Sequence, residues 1–555
     1  MNARTVALAL FVTVLNASVA PAQQTSFSET VEVRVTNVEA IVTDKSGKPV
    51  PNLTKDDFEI YENGVRQQIS NFAEIRENVP SGTLTASAPA ATPAETPRDT
   101  RPRIITVFID NATLEMANRN AVLPQLREFL ATNVRPGDGV AIYIWGNGLT
   151  AHLELTDDAA AISKALGTIH SAAARGGQNW RQEFEREITD LIAFNNPDKP
   201  SMQQGISIAA AYAARGTLET RQKSEALKSV ISSLRGVDGR KALVLVTQQL
   251  STNPGEETFY FLETMEEHFL NPEMLRPQSE SRAYVVQDLA KNLAAAANSA
   301  GVTLYPINAR GMATDSVFRD SSQPAFLATK TSAHTDTSTA TMHAIAEDTG
   351  GKATAGSSNW KLAFDTISND LAVYYSLGYR TSGERKDRMK KVEVRLKDRR
   401  LHVRTRKSIV EQTASTEMSD AVTSSLFHAR THNDLGVKAS IGTASPAGEN
   451  LVHPLTISIP TSTLTLIPDG TDLVGNFSVF AAFLRADGAV SRVGKQTHQF
   501  RFPAAALARR KQVTVKLDVT ADARVGAISL GVMDEASRAT GFALIKLPPA
   551  TKTGS

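Results

Sequence analysis

The sequence has no cysteine among its 555 residues. That excludes disulfides, thiolate catalysis and cysteine-ligated zinc or iron–sulfur centres. It also excludes a lipid-anchored leader, which needs a cysteine at its cleavage point. An excess of one charge is missing too: 60 Lys and Arg stand against 58 Asp and Glu, a net of +2. No global field therefore argues for nucleic acid as a partner. After the first segment, no stretch approaches the roughly 20 apolar residues that span a bilayer. The chain also lacks His-Glu-x-x-His, Gly-x-Ser-x-Gly and a phosphate loop, so these catalytic signatures are absent.

What is present reads as globular and exported. Hydrophobic residues make up 41% of a chain too long for one core, which predicts three or more domains. Residues 1–22 resemble a signal peptide: Arg4 gives the positive start, Val6 to Leu15 the apolar core, and Ala20-Pro21-Ala22 the small-residue cleavage site. The expected location is secreted or periplasmic.

The chain is organised around Arg103-Ile-Ile-Thr-Val-Phe-Ile-Asp110. A β-rich apolar run ending in an acid predicts a strand buried on both faces, with Asp110 at its carboxyl end, where open α/β sheets bind ligands. Ala117 to Leu130 has helical spacing, Pro136-Gly-Asp-Gly139 is a turn, and Val140 to Trp145 is a second buried strand. Strand, helix, strand in this order predicts a right-handed parallel crossover. Leu149 to Leu155 reads as an edge strand. Further strands are expected at Gly239 to Thr247, Val302 to Ile307 and Ala372 to Tyr379. Helices are expected at Tyr284 to Ala300, Thr341 to Thr349 and Leu362 to Leu371. Two irregular insertions, Ser251 to Ser281 and Asn308 to Ala340, directly follow strands. Length is thus spent on the edge that carries Asp110.

The fold class expected is α/β, with a doubly wound, mostly parallel, Rossmann-like sheet flanked by a small N-terminal β module and a C-terminal β-sandwich. The divisions are a signal peptide at 1–22, the β module at 28–76 and a Pro/Ala/Thr-rich linker at 77–102. The α/β domain follows at 103–380, then a β-hairpin extension at 381–410, a polar joint at 411–449 and a sandwich at 450–548. Glu62-Asn63-Gly64 is a hairpin turn.

Several motifs together resemble the exported VWFA-related proteins of acidobacteria, and the central region resembles a von Willebrand factor A domain. The resemblance lies in Val35-Thr-Asn-Val38 through Asp44-Lys-Ser-Gly-Lys-Pro49, Leu53-Thr-Lys-Asp-Asp-Phe58 through Asn63-Gly64, and Phe108-Ile-Asp-Asn-Ala-Thr113. It continues in Arg135-Pro-Gly-Asp138, Gly239-Arg-Lys-Ala242, Tyr374-Tyr-Ser-Leu-Gly-Tyr379 and the stretch 391–407. It covers roughly residues 30 to 410; the chain beyond 440 is similar only in general β character.

Such a domain commonly holds a divalent metal on an Asp-x-Ser-x-Ser motif, a loop Thr and an Asp after the fourth strand. Here the first motif reads Asp110-Asn-Ala-Thr-Leu114, and Thr247-Gln-Gln-Leu250 stands where the later Asp is expected. The resemblance therefore implies a degenerate metal site. Asp110 is the one ligand left for a possible divalent cation, and its simpler role is to cap the next helix and pair locally.

Other constellations read as structural. Gly146-Asn-Gly148 precedes a strand, not a helix, so it is a turn rather than a dinucleotide loop. His428 and His432 lack a third ligand. The basic stretch 380–407 is interrupted by acids and reads as the solvated face of a hairpin. The function expected is a non-enzymatic, exported protein that binds a protein or cell-envelope ligand with Asp110, Asn111, Thr113, Trp145, Asn147, Thr247 and Gln248. No cofactor, no nucleic acid and no membrane span after leader removal are expected. A metal-dependent adhesin is the alternative. An envelope hydrolase is a further one, for which a second carboxylate is not placed.

Overall fold

The computed structural model describes residues 34–76, 102–171, 180–195, 198–272, 276–310, 326–357, 359–381, 387–428, 433–448, 450–485, 490–503, 506, 511–522 and 524–547. The leader and nearly all of the linker lie outside the described residues.

Four strands come first: β1 (Arg34–Thr43), β2 (Phe58–Glu62), β3 (Val65–Gln67) and β4 (Ile69–Arg76). The α/β region follows as β5 (Arg103–Asp110), α1 (Met116–Asn133), β6 (Gly139–Trp145), β7 (Leu149–Thr156), α2 (Ala159–Ser171), α3 (Trp180–Phe194), α4 (Met202–Ser233) and β8 (Arg240–Thr247). It continues as α5 (Glu256–Thr264), α6 (Pro277–Glu280), α7 (Leu289–Ala300), β9 (Val302–Asn308), α8 (Phe326–Thr349) and α9 (Trp360–Ala372). Then come β10 (Val373–Thr381), β11 (Arg388–Leu396), β12 (His402–Arg404), β13 (Ser408–Glu411) and α10 (Ala414–Ser425). The rest is β14 (Lys438–Ile441), β15 (Ser445–Ala447), β16 (Asn450–Pro460), β17 (Ile467–Asp469), β18 (Asp472–Arg485), β19 (Gly494–Pro503), β20 (Gln512–Asp522), β21 (Val525–Asp534) and β22 (Thr540–Lys546).

The molecule is mixed α/β. Its central sheet runs β7-β6-β5-β8-β9, parallel except for β7, which is antiparallel at the edge. Every residue of β5, β8 and β9 is buried, as expected of strands covered on both faces. Alternation along β5 divides the packing. Ile105, Val107 and Ile109 meet α1, α2 and α9, while Ile104 and Phe108 meet α4, α7 and α8. Gly239 leads into β8 at φ +103, and a Cβ there would collide with the carbonyl oxygen of Pro102. Only glycine allows the two strand starts to approach this closely.

Three expectations are corrected by the pairing. First, the described part of the expected 28–76 module, residues 34–76, does not form a module of its own. β1 lies between β12 and β10, β10 pairs with β4, and β2 pairs with β11. The α/β region is thus inserted between β4 and β10 of a two-sheet β unit, whose core joins Val38, Ala40, Tyr375 and Leu377 to Phe58, Ile60, Val392 and Val394.

Second, the strand assigned to the end of the 103–380 domain belongs to this β unit, not to the parallel sheet. Strand character is local, but partner choice is not. Third, 381–410 is not a hairpin: β11 pairs with β2 and β13, and β12 pairs with β1, so the turn at Asp398 carries the chain from one sheet to the other.

Helix boundaries also differ. α7 begins at Leu289 rather than Tyr284, and α8 begins at Phe326, within the insertion that reads as irregular. The hairpin at Asn63-Gly64 is as expected, with φ 49 and 83 at the two turn residues.

The C-terminal region packs two antiparallel sheets around one core. Leu455, Ile457, Leu517 and Val519 face Phe477, Val479, Ile528 and Leu530. The expected polar joint contains α10, whose Met418, Ala421 and Val422 are buried against that sandwich. No helix among the described residues is long and apolar enough to cross a membrane.

Candidate functional site

Asp110 is delivered by β5 to the carboxyl end of the parallel strands, and its side chain is fully buried. Burial of a carboxylate demands partners. Its Oδ2 accepts from Thr113 Oγ1 at 2.6 Å, from Thr247 Oγ1 at 2.6 Å and from Lys223 Nζ at 2.8 Å. The backbone N–H of Thr113 donates to Oδ1 at 3.3 Å, a local turn bond; the expected helix cap is corrected, since α1 has Glu115 as its N-cap and no side chain caps it. Lys223 Nζ also donates to the carbonyl oxygen of Gln249 at 2.5 Å. The backbone N–H of Gln249 donates to Thr247 Oγ1 at 3.1 Å, closing a small ring around the ammonium.

Lys223 comes from α4, 113 residues along the chain. Thr220, Lys223, Ser224 and Leu227 are all buried, so this face of α4 turns inward although only Leu227 is apolar. The lysine is 4% exposed. An ammonium at that depth is stable only when paired and hydrogen-bonded.

The site meets the other candidates unevenly. Thr247 and Gln248 are buried with Asp110, and Gln248 Oε1 accepts from the backbone N–H of Glu115 at 2.5 Å. Asn111 and Thr113 are half-buried. Asn111 Oδ1 accepts from Arg119 Nη1 at 2.9 Å, and Arg119 in turn donates to the carbonyl oxygen of His170 at 3.3 Å. Burial lowers the pKa of the Arg119 guanidinium. Trp145 is half-buried, and its carbonyl oxygen accepts from the N–H of Ala112 at 3.1 Å. Asn147 is exposed at the turn between β6 and β7.

The stretch after β8 is covered. Leu250 and Ser251 are buried, Ser338 Oγ of α8 accepts from the N–H of Leu250 at 2.7 Å, and the N–H of Val286 donates to the carbonyl oxygen of Thr252 at 2.7 Å. The insertion between β8 and β9 therefore folds over its own side of the rim. The open side runs through Glu115, Met116, Asn147, Gly148 and Leu149, all exposed. Of the insertion Asn308 to Ala340, residues 311–325 lie outside the described residues.

The site does not fit a resident divalent cation. Such an ion takes about six oxygens at roughly 2.0–2.6 Å. Of the oxygens gathered there, Asp110 Oδ2 and the Gln249 carbonyl are already bonded to one ammonium. An ion entering between them would face the Lys223 charge with no second carboxylate to offset it. Among the described residues, no three His, Asp or Glu side chains are grouped so as to hold a metal ion.

Lys223 is the residue that sequence reasoning misses. The only available signal is its place on a helix whose other inward positions are small or apolar.

No family model matches the chain, and no curated protein matches it. Similar solved structures include proximal thread matrix protein 1 from the mussel byssus, at 12% identity over 49% of this chain and 48% of that one, TM-score 0.23. BatB from Bacteroides thetaiotaomicron is 12% identical over 49% of this chain and 97% of its own, TM-score 0.23. Three N-terminal domains of the type V pili tip protein Mfa5 from Porphyromonas gingivalis are 9% identical over 95% and 79%, TM-score 0.24. The chain spans about half the length of the mussel protein. Scores this low carry no argument about what this chain does.

Proposed function

We propose that this protein is an exported, non-enzymatic binding protein of the VWFA-related kind. In this reading it engages a protein or cell-envelope ligand over the carboxyl edge of its parallel sheet, without a metal. One observation supports this most: the acid at the head of β5 is neutralised inside the molecule by Lys223, and the pair pins the loop after β8. Asp110 is then a brace beneath the rim, and contact with the ligand falls to the exposed groups around Glu115, Met116, Asn147 and Leu149.

The same observation counts against the two other readings. A metal-dependent adhesin needs an ion where the ammonium lies. A hydrolase needs an accessible carboxylate free to exchange a proton, and Asp110 is fully buried with three donors on one oxygen.

The test is capture of envelope components by the intact protein and by two variants. Glu115→Arg combined with Asn147→Arg alters the open rim. Arg395→Glu alters the exposed face of β11, in the β unit. Loss of specific capture in the first variant alone, with no effect of a chelator, is the expected result. Equal capture by all three proteins would contradict the rim reading.

A further inference from the structure

The polar centre under the rim has the composition of a cation site. Four oxygens converge there: a carboxylate oxygen of Asp110, the hydroxyls of Thr113 and Thr247, and the carbonyl of Gln249. They come from the end of β5 and the turn after it, and from the end of β8 and the loop after it, segments far apart in sequence. Oxygens gathered in this way around a buried point stabilise positive charge. The positive charge found there is Nζ of Lys223, 2.8 Å from Asp110 Oδ2 and 2.5 Å from the Gln249 carbonyl oxygen.

We propose that Lys223 is the resident cation of this site: a tethered ammonium that takes the place of a free metal ion and joins the strand ends. The proposal deepens the metal-independent reading given above and rests on it only for the choice of site. It has three physical consequences. The charge is supplied at an effective concentration that a dissolved ion does not reach, so the site does not empty when cations are withdrawn. The loop Thr247 to Asn253 is held whatever the calcium or magnesium level outside the cell. And the oxygens become available to a small hard cation only when the lysine charge is removed.

The ammonium is a suitable substitute for chemical reasons. It offers three donors in place of a coordination sphere, and its helix is joined to the sheet by an apolar layer. Phe108 and Tyr143 of the sheet and Leu227 of α4 are members of that layer. A single positive charge also matches the single carboxylate. A dication at the same point would leave one charge uncompensated in a buried setting, which is costly.

The experiment is a manganese titration of the full chain, read by calorimetry and by the paramagnetic signal of free ion. The unmodified protein is expected to show no saturable site. Lys223→Ala, which removes the charge and opens space, is expected to gain one site, at least tenfold tighter than any residual binding of the parent. That site should vanish when Asp110→Asn is added. Two results would overturn the proposal: one saturable site in the unmodified protein that is lost in Asp110→Asn, or a folded Lys223→Ala that binds no more manganese than the parent. The first arm needs only the unmodified chain and Asp110→Asn, so it decides the matter even where Lys223→Ala fails to fold. Rim capture is a separate readout, so failure here is distinguishable from failure of the binding reading.

Discussion

Asp110 and Lys223 show how differently two partners in one bond announce themselves. Asp110 ends a run of buried β residues, and that position alone marks it as an acid at the carboxyl edge of the sheet. Lys223 sits in a helix of 32 residues that carries charge on several faces, and a lysine there reads as solvated. Only folding reveals that it points inward. Removing one partner of a buried pair leaves the other charge stranded, at a cost of about 3–5 kcal/mol. Asp110→Asn is therefore expected to lower stability by that amount in a denaturant titration. Asp110→Asn combined with Lys223→Met should lose less than the sum of the two single changes, because no charge is left unpaired. Additive losses would show that the two groups are not coupled.

The residues that carry the family resemblance belong to the same scale, and they sit mostly away from the rim. Asp138, in the turn before β6, accepts from Arg103 Nε at 3.1 Å and from the Arg103 backbone N–H at 3.1 Å, tying the start of β5 to the start of β6. The hydroxyl of Tyr375 donates to the Val50 carbonyl oxygen at 2.7 Å and accepts from the Leu53 N–H at 3.1 Å. Tyr379 donates to Glu62 at 2.7 Å. Burial raises the pKa of both phenols, so they remain neutral donors. The motifs thus report the frame of the fold. This is why they make the architecture legible and leave the ligand unread. Gly239 is one of them, and Gly239→Ala places a side chain at positive φ against Pro102. The expected loss is about 1–3 kcal/mol by thermal or denaturant unfolding.

At the scale of elements, hydrophobic period locates most strands and helices but not their partners. β10 was legible as a strand, with only two exposed or half-buried positions before its end. That it lies between β1 and β4 is settled by partners far away in sequence, such as Ala40 and Glu74 on either side of Tyr375. The basic stretch gives the same lesson. Lys390 is buried and bridges Glu62 and Glu411 at 3.1 Å each, and Arg404 grips Asp370 at 2.5 and 2.8 Å. A charge run that reads as a solvated face is in part an internal clasp. One expected outcome follows from the pairing. A specific protease site placed between residues 80 and 100 should, once cleaved, leave the fragment carrying β1 to β4 bound to the rest through size-exclusion chromatography. It should separate only in denaturant. Release in plain buffer would contradict the interleaved β unit.

At the scale of the molecule, two joints among the described residues hold the α/β region to the rest of the chain. One lies at the end of the parallel strands opposite the rim. There the Arg240 guanidinium stacks 3.9 Å from the ring centroid of Tyr374, pairs with Glu39 at 3.3 Å and donates to the Asp370 carbonyl oxygen at 2.7 Å. Neighbouring acids hold its pKa up against the burial that opposes it. The other joint is α10. It packs on the C-terminal sandwich through Met418 and Val422 and reaches the turn after α4 through Asp420, which meets Arg235 at 3.3 Å.

His428, just past α10, is 4% exposed and lies 3.3 Å from Ser233 Oγ, and burial lowers its pKa to about 4 from an ordinary 6.5. A histidine whose folded pKa is depressed stays neutral in the native state while the unfolded chain takes up a proton. Its contribution is fully present above pH 6.5 and is lost as pH falls from 6.5 towards 4. The expected loss, about 3 kcal/mol over that window, should be much reduced in His428→Gln, read as stability against pH by denaturant titration. An unchanged pH slope in that variant would show that His428 is not the group responsible.

The most direct check on the central claim is an experimental structure of the unmodified protein grown or soaked in manganese, with anomalous data. Side-chain density for Lys223 running into the Asp110 carboxylate, with no anomalous peak there, is the expected result. A manganese peak bonded to Asp110, with the lysine turned aside, would contradict it.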